Sequence, residues 1–271
     1  MTGDRQTAFP RYAAAGIIAI IFVAPLLVAL NTSLKTPAEV LDVLSLPAMP
    51  IFSNYAEAWD KIGRMFLNSI MITVPGVILS VFVGAIAAYP LSQIRGTAGF
   101  VIYLFLLTGM LVPYQIVQIP LFSLMRSLGL YNTIPGMWLV HTAYGVPICT
   151  FFMRNFFASV PRSMFEAALL DGAGHAAYFF KVLLPASTSG LAALAVIQSR
   201  AIWNDLLFAL TLTSNESARP VTVALNALTT GLQVQHGLLM AATIVSIAPV
   251  VVSYLLFQKA FVQGVLGGSS K

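Results

Sequence analysis

Charge is what this chain has least of. Of its 271 residues only 8% are Asp, Glu, Lys or Arg, while 58% are hydrophobic. Soluble domains carry about 25% charged residues. A water-soluble globule this poor in charge would expose large apolar patches and associate. Composition and a mean hydropathy of +0.87 therefore point to an integral membrane protein. Cysteine is nearly absent too. Cys149 is the sole one, inside an apolar run, so an internal disulfide and a Cys-based metal cluster are excluded. His141, His175 and His236 are far apart and no HExxH occurs, so no metal site is expected. No serine sits in GxSxG, and nothing argues for an enzyme. No GxxxxGK[ST] phosphate loop exists, so this chain is expected to bind no ATP of its own. The net charge of +5 is scattered singly, without a basic run, which argues against nucleic acid. Gly172 to Ala177 has GxGxxA spacing. It follows a helix start rather than a strand, and no acidic residue lies about 20 positions on, so it is not a dinucleotide fingerprint.

What the chain has is long apolar runs. A polar segment, 1–12, precedes Ala13 to Thr32, about 20 residues and enough for a hydrocarbon core of about 30 Å. A cleaved signal peptide would have a shorter apolar region of about 7–15 residues, so a retained first helix is expected. Further spans are expected over about 65–89, 97–119, 134–157, 187–212 and 237–257, within one transmembrane domain at 13–262, and 263–271 forms a tail. Asn31 to Arg64, broken by Pro37, Pro47 and Pro50, reads as an external loop with a short helix around Asn54–Lys61. Pro113 and Pro120 interrupt the third span. A Pro-interrupted apolar segment points to a transport path, although a plain helix end followed by a surface loop reads equally well. Leu121 to Asn132 reads as an amphipathic external segment.

Six spans put both termini on one side. With the termini and the loops at Arg95 and Glu166 on the cytoplasmic side, eight Lys/Arg fall inside and five outside, which favours that orientation. Two polar groups stand out. Arg200 and Asn204 are spaced i, i+4 near the end of the fifth span, with Asp205 beside them. Ionisable residues inside a span are costly and face a partner or a water path. Pairing of Asp205 with Arg200 or a neighbouring subunit, and contact with cargo, both remain open.

The second group is the loop 158–186. Ser163 and Glu166 are spaced as a capping box, and Gly172 is suited to the left-handed end of a helix. A helix from Met164 to about Asp171 is roughly 12 Å long at about 1.5 Å per residue, too short to cross a membrane. Glu166-Ala167-Ala168, three residues, Gly172, nine residues, Val182, one residue, Leu184-Pro185 resembles the EAA loop of ABC importer permeases, departing only by Val182 for Ile. Trp203-Asn204-Asp205, Asn68-Ser69, Ala87-Ala88-Tyr89, Val112-Pro113-Tyr114-Gln115, the 128–133 LGLYNT segment, the 237–242 GLLMAA segment and the 258–264 tail are similar to the carbohydrate (maltose-type) branch, so the likeness covers nearly the whole chain from about residue 50.

That resemblance implies a type I ABC importer permease fold: all-α, six transmembrane helices, and a short cytoplasmic coupling helix between the fourth and fifth. It implies the smaller permease of a heterodimer, working with a larger permease, two ATPase subunits and a periplasmic or lipid-anchored solute-binding protein in a bacterial or archaeal inner membrane. ATP and Mg would sit on the ATPase subunits. Glu166, Ala167, Ala168, Gly172 and Pro185 would form the ATPase-coupling surface. Tyr114, Gln115, Gln118, Arg200, Asn204 and Asp205 are candidates for the translocation path. Gly231, Gln233 and Gln235, in the outer loop 214–236, are candidates for contact with the binding protein. The expected cargo is a sugar or sugar derivative, and Arg200 is the one feature that leans toward an anionic one. An ATP-independent channel or secondary transporter accounts for six spans equally well, but not for a capped non-spanning helix with EAA spacing.

Overall fold

The computed structural model describes residues 3–94, 96–230 and 234–267, with side chains for 11–94, 96–230 and 234–259. Among these residues every regular element is helical. The chain up to Gly63 together with Ala224–Ala248 forms one compact unit; Arg64–Val223 and the chain from Pro249 onward form a second.

Helix α1, Gly3–Ser33, leaves its apolar stretch largely exposed, while Thr32 and Ser33 at its end are buried. Helix α2, Ser53–Gln93, is 41 residues long, and α12, His236–Gly267, closes the chain. Arg11–Ser33, Ser53–Gln93 and His236–Lys259 are each long and apolar enough to cross a membrane. A fourth candidate is the pair His175–Ala186 and Thr188–Trp203, bent by 75°. The short helix expected around Asn54–Lys61 is not separate. It is the first part of α2, because Gly63 does not break the helix: it lies under the Trp59 ring, 3.1 Å from where a Cβ would stand.

The first unit is ordered by an unusual cation. Lys35 is 1% exposed, and its ammonium donates to the carbonyls of Asp42 and Val43, at 2.6 and 3.2 Å, and to Ser45 Oγ. A buried charge needs such partners, and the loop 36–48 wraps around it. Glu39 accepts from the backbone N–H groups of Thr36 and Ala48, which hold its carboxyl below the usual carboxylate range.

In the second unit, α3 (Thr97–Thr108) is only 12 residues long. At about 1.5 Å per residue it is roughly 18 Å, short of a hydrocarbon core. The chain turns at Gly109–Val112 and restarts as α4, Tyr114–Ser127, with Pro113 as its N-cap. Pro120 stays inside α4, so only Pro113 marks a helix boundary. The segment expected as an external strip from Leu121 is the second half of α4. Helix α5, Ile134–Ser159, starts where Thr133 Oγ1 accepts from Gly136 N–H at 3.0 Å. Helices α2 and α5 touch closely at Gly84, where a Cβ would collide with Cys149 Cβ and lie 3.0 Å from the Cys149 carbonyl carbon. Small residues at such a contact let two backbones approach.

Helix α6, Arg162–Leu170, is followed by α7 (His175–Tyr178), a π-helical turn over Phe179–Leu183, and α8 (Leu184–Ala186). The bend at Ser187 leads into α9, Thr188–Trp203; α10 is Leu207–Leu212 and α11 is Val221–Thr229. The connections around α10 are sewn by side chains that the LGLYNT and Asn-Ser motifs supply. Asn132, at φ 56°, accepts on Oδ1 from the backbone N–H groups of Ser214 and Asn215 at 2.8 and 3.2 Å. Asn68 donates to the carbonyls of Glu216 and Arg219, and Ser69 Oγ accepts from Val221 N–H at 2.8 Å.

Candidate functional site

Two sites emerge in the second unit. The first is α6. Pro161 fixes its own φ and starts the helix directly, so α6 begins at Arg162 and Pro161 is its N-cap. The expected capping box is therefore not formed. Ser163 is already helical, and Glu166 Oε1 instead faces Arg162 Nε at 3.4 Å, an exposed i, i+4 pair. The other end is as expected. Gly172 sits at φ 77°, its N–H donates to the Leu169 carbonyl, and Ala173 N–H donates to the Ala168 carbonyl at 2.9 Å. That is a Schellman closure.

The helix has two faces. Ala168 is buried in a core with Ala85 and Ala88 of α2, Cys149, Met153 and Phe157 of α5, Tyr178, Phe179 and Leu194. Glu166, Ala167, Leu169 and Leu170 point outward, and Leu170 is 90% exposed. Ala168, one of the residues expected on the coupling surface, therefore faces inward. Aromatic rings anchor the helix: Phe165 packs edge-on against Tyr178 at 5.0 Å and lies 5.3 Å from His175, and Tyr89 lies 5.2 Å from Phe179. Tyr89 OH and His175 Nδ1 are 2.8 Å apart, a hydrogen bond from α2 to the start of α7. Pro185 lies in α8, one turn before the 75° bend.

The second site is an open pocket of about 380 Å³ where α4, α5, α9 and α10 meet. It exists because the helix breaks after Trp203. Asn204 caps α9, its Nδ2 donating to the Arg200 carbonyl at 2.9 Å. Asp205 then turns its carboxylate onto the next helix, accepting from Ala209 N–H at 3.1 Å, while its carbonyl accepts from Thr222 Oγ1 at 2.7 Å. Gly145 of α5 supplies depth: a Cβ there would strike Gln198 Nε2 and lie 2.7 Å from Ser80 Cβ. Gln198 donates to Ser80 Oγ at 3.3 Å.

The pocket is lined by Tyr114, His141, Tyr144, Gln198, Asn204, Asp205 and Phe208, among others. Of the residues expected on a path, Tyr114, Asn204 and Asp205 are brought together. Gln118 instead accepts from Thr211 Oγ1 at 2.8 Å, tying α4 to α10; Gln115 is exposed, and neither lines the pocket. Arg200 is exposed outside it and makes no ion pair with Asp205, whose nearest ring nitrogen is His141 Nε2, 3.9 Å from Oδ2. His141, Tyr144 and Gln198 were not singled out for the path in the sequence. The signal was available: His141 lies in an apolar helix, where an ionisable residue is itself a marker, and Tyr144 follows one turn later on the same face. Gly231 and Gln233 lie outside the described residues; Gln235 is exposed before α12. Among the described residues no group of His, Cys, Asp and Glu could hold a metal ion.

An all-helical chain with a short closed helix between α5 and the bent α8–α9 pair defines a transport permease. Residues 76–267 match the model of the family described as binding-protein-dependent transport system inner membrane component, and the chain belongs to that family. It is 34% identical over 273 residues to the diacetylchitobiose uptake system permease protein NgcG of Streptomyces coelicolor, covering 99% of this chain and 90% of that one. It is 30% identical over 260 residues to the melibiose/raffinose/stachyose import permease protein MelC of Bacillus subtilis, covering 95% and 94%. Among solved structures, a chain of a bacterial ABC transporter involved in the import of the acidic polysaccharide alginate is 26% identical with a TM-score of 0.82, covering 96% of this chain and 98% of that one. The fold is thus that of a type I ABC importer permease, and the chain is a permease subunit of a binding-protein-dependent importer.

Proposed function

We propose that this chain is the smaller permease of a sugar importer, crosses the inner membrane six times with both termini cytoplasmic, and couples to a separate ATPase through α6. The observation that carries the coupling role is the two-faced helix: Ala168 locked into the chain's own core, with Glu166, Ala167, Leu169 and Leu170 turned out. A knob seated in this way passes force to α2 and α5 through Tyr89, Phe157 and Phe179 instead of yielding locally. Glu166 is the one acidic side chain on the outward face, suited to a basic residue of the ATPase. A partner charge left uncompensated in a buried interface costs several kcal/mol. A larger permease, two ATPase subunits carrying ATP and Mg, and a solute-binding protein complete the assembly, with Gln235 and its neighbours facing the binding protein. The sugar assignment rests on the relatives, which include import permeases for diacetylchitobiose and for melibiose, raffinose and stachyose.

Gentle detergent purification of the tagged chain tests this reading. An ATPase, a second permease and a binding protein are expected to come with it, and vesicle uptake is expected to require ATP. Glu166→Ala should lower that uptake at least tenfold. Uptake driven by a proton gradient without ATP, from the chain alone, would replace this reading with a channel or secondary transporter.

A further inference from the structure

The pocket at the α9–α10 break has a chemistry of its own, and nothing so far assigns it a ligand. Three aromatic rings converge there. Phe208 lies 4.8 Å from the Tyr144 ring and 5.4 Å from the Tyr114 ring. Polar groups withdrawn from solvent share this pocket: His141, 6% exposed, packs edge-on against Phe208 at 6.1 Å, and Gln198 is 4% exposed. His141 Nε2 is 3.9 Å from Asp205 Oδ2. That is beyond a hydrogen bond, yet close enough for one hydroxyl oxygen to reach both atoms. Ala209 N–H already holds Asp205 Oδ2 at 3.1 Å, and the oxygen's remaining lone-pair capacity faces His141 Nε2 across a gap that one hydroxyl can bridge. No Lys or Arg lines the pocket, and Asp205 is its one formally charged residue.

Rings that can lie against C–H faces, with a carboxylate, an imidazole and two amides (Gln198 and Asn204) around them, form a recognisable combination. We infer that this pocket is a sugar subsite within this chain, selective for neutral, hydroxyl-rich rings and closed to anionic ones. A hydroxyl can donate to Asp205 and accept from His141 at once, a bridge that a carboxylate or sulfonate on the ligand cannot make because it has no proton to give. A ligand anion would also meet the Asp205 carboxylate without a compensating cation. Small-molecule pockets run from about 300 Å³ upward, and a few convergent polar groups fix the ligand's orientation. The inference rests on the importer reading above and adds to it where selectivity lies: partly in this subunit, as well as in its partners.

The test uses the assembled importer in proteoliposomes with saturating binding protein and ATP. A panel of neutral di- and trisaccharides is run beside uronate oligosaccharides. Neutral sugars are expected to move and uronates not. Tyr144→Leu should lower sugar moved per ATP hydrolysed at least fivefold, and Tyr144→Phe, which keeps the ring, should stay within twofold of wild type. Arg200→Ala, outside the pocket, should leave the panel's ranking unchanged. If Tyr144→Leu does not assemble, Ala201→Lys takes its place: a cation at the pocket lining should admit uronates that the wild type rejects. Transport by Tyr144→Leu equal to wild type, or no change in selectivity for Ala201→Lys, overturns the subsite. So does movement of uronates alone, which leaves the sugar-importer reading intact. A complex that moves no sugar in the panel sinks that wider reading, and the subsite with it.

Discussion

Helix α6, for which a coupling role is proposed above, and the pocket belong to the same unit of the fold and are built by opposite means. Around α6 the interior is apolar and aromatic: Ala85, Ala88, Phe157, Phe179 and Leu194 close over Ala168, and polar contact is limited to a rim such as Tyr89–His175. Around the pocket the interior is interrupted by polar groups, His141, Gln198 and Asp205, held open by a glycine and a helix break. A lever has to transmit displacement, and dense apolar packing does that because close-packed side chains have no room to yield. A pocket must leave room and unsatisfied valences. The two are joined by α5, which gives Cys149 and Met153 to the first and His141 and Tyr144 to the second.

The harshest way to break this contrast is Gly84→Ala. The new methyl would overlap Cys149 Cβ and press on its backbone, which cannot step aside. Overpacking of this kind costs about 1–3 kcal/mol, and the upper end is expected because backbone is involved. The check is the thermal midpoint of the purified assembly, which should drop by several degrees, whereas Gly174→Ala, with nothing within 4 Å of the added carbon, should leave it unchanged. An unshifted midpoint for Gly84→Ala would mean that α2 and α5 are not locked together, and the lever would lose its fulcrum.

Gly172→Ala comes next. Here space is free but φ is 77°, so the penalty is purely conformational. Left-handed backbone costs an L residue about 1–2 kcal/mol, partly offset by a stiffer unfolded chain, leaving about 1 kcal/mol. Gly172→Asn should recover most of it, since Asn tolerates that region. Recovery in ATP-dependent uptake by Asn but not by Ala would tie the turn geometry to coupling.

These two glycines also show what was legible in the sequence. Gly172 could be read, because a helix end is a local signal. The EAA spacing and the apolar runs were legible for the same reason. Ser163 misled because its capping spacing is right, and only the helical start that Pro161 imposes shows that the box is unused. Gly84 could not be read: its meaning is Cys149, 65 positions away. The pocket was half legible. Trp203-Asn204-Asp205 is contiguous and stands out as polar, although the span expected over 187–212 runs straight through the break that the structure places there, and Tyr144 and Gln198 gain their meaning from helices that meet only in three dimensions. Arg200 stands out as a charge in an apolar run, yet Gln198, Ala201 and Ile202 are the α9 residues that line the pocket, and Arg200 is exposed outside it.

Tyr89→Phe is a smaller perturbation. It removes the hydroxyl that meets His175 Nδ1 at 2.8 Å and keeps the ring packed on Phe179. A net hydrogen bond contributes about 0.5–1.5 kcal/mol, and this one is at the exposed rim, so a value near about 0.5 kcal/mol is expected. Uptake per ATP should fall about twofold. A fall of tenfold or more would move the weight of the coupling from ring packing to that one polar link.

Arg162→Ala should alter stability least of all. Its guanidinium meets Glu166 at 3.4 Å with both side chains about two-thirds exposed. Exposed i, i+4 pairs contribute about 0.3–0.5 kcal/mol, and salt screens them. The midpoint of the isolated chain should therefore stay within a degree or so at ordinary ionic strength. Freed of Arg162, Glu166 loses nothing the fold requires, because α6 is held by Ala168 and Phe165 on its other face. An effect of Arg162→Ala on transport with an unchanged midpoint would mean that the outward face acts through its charges. An effect on the midpoint itself would mean that the pair helps hold the helix, and the division of α6 into an anchoring face and a docking face would have to be redrawn.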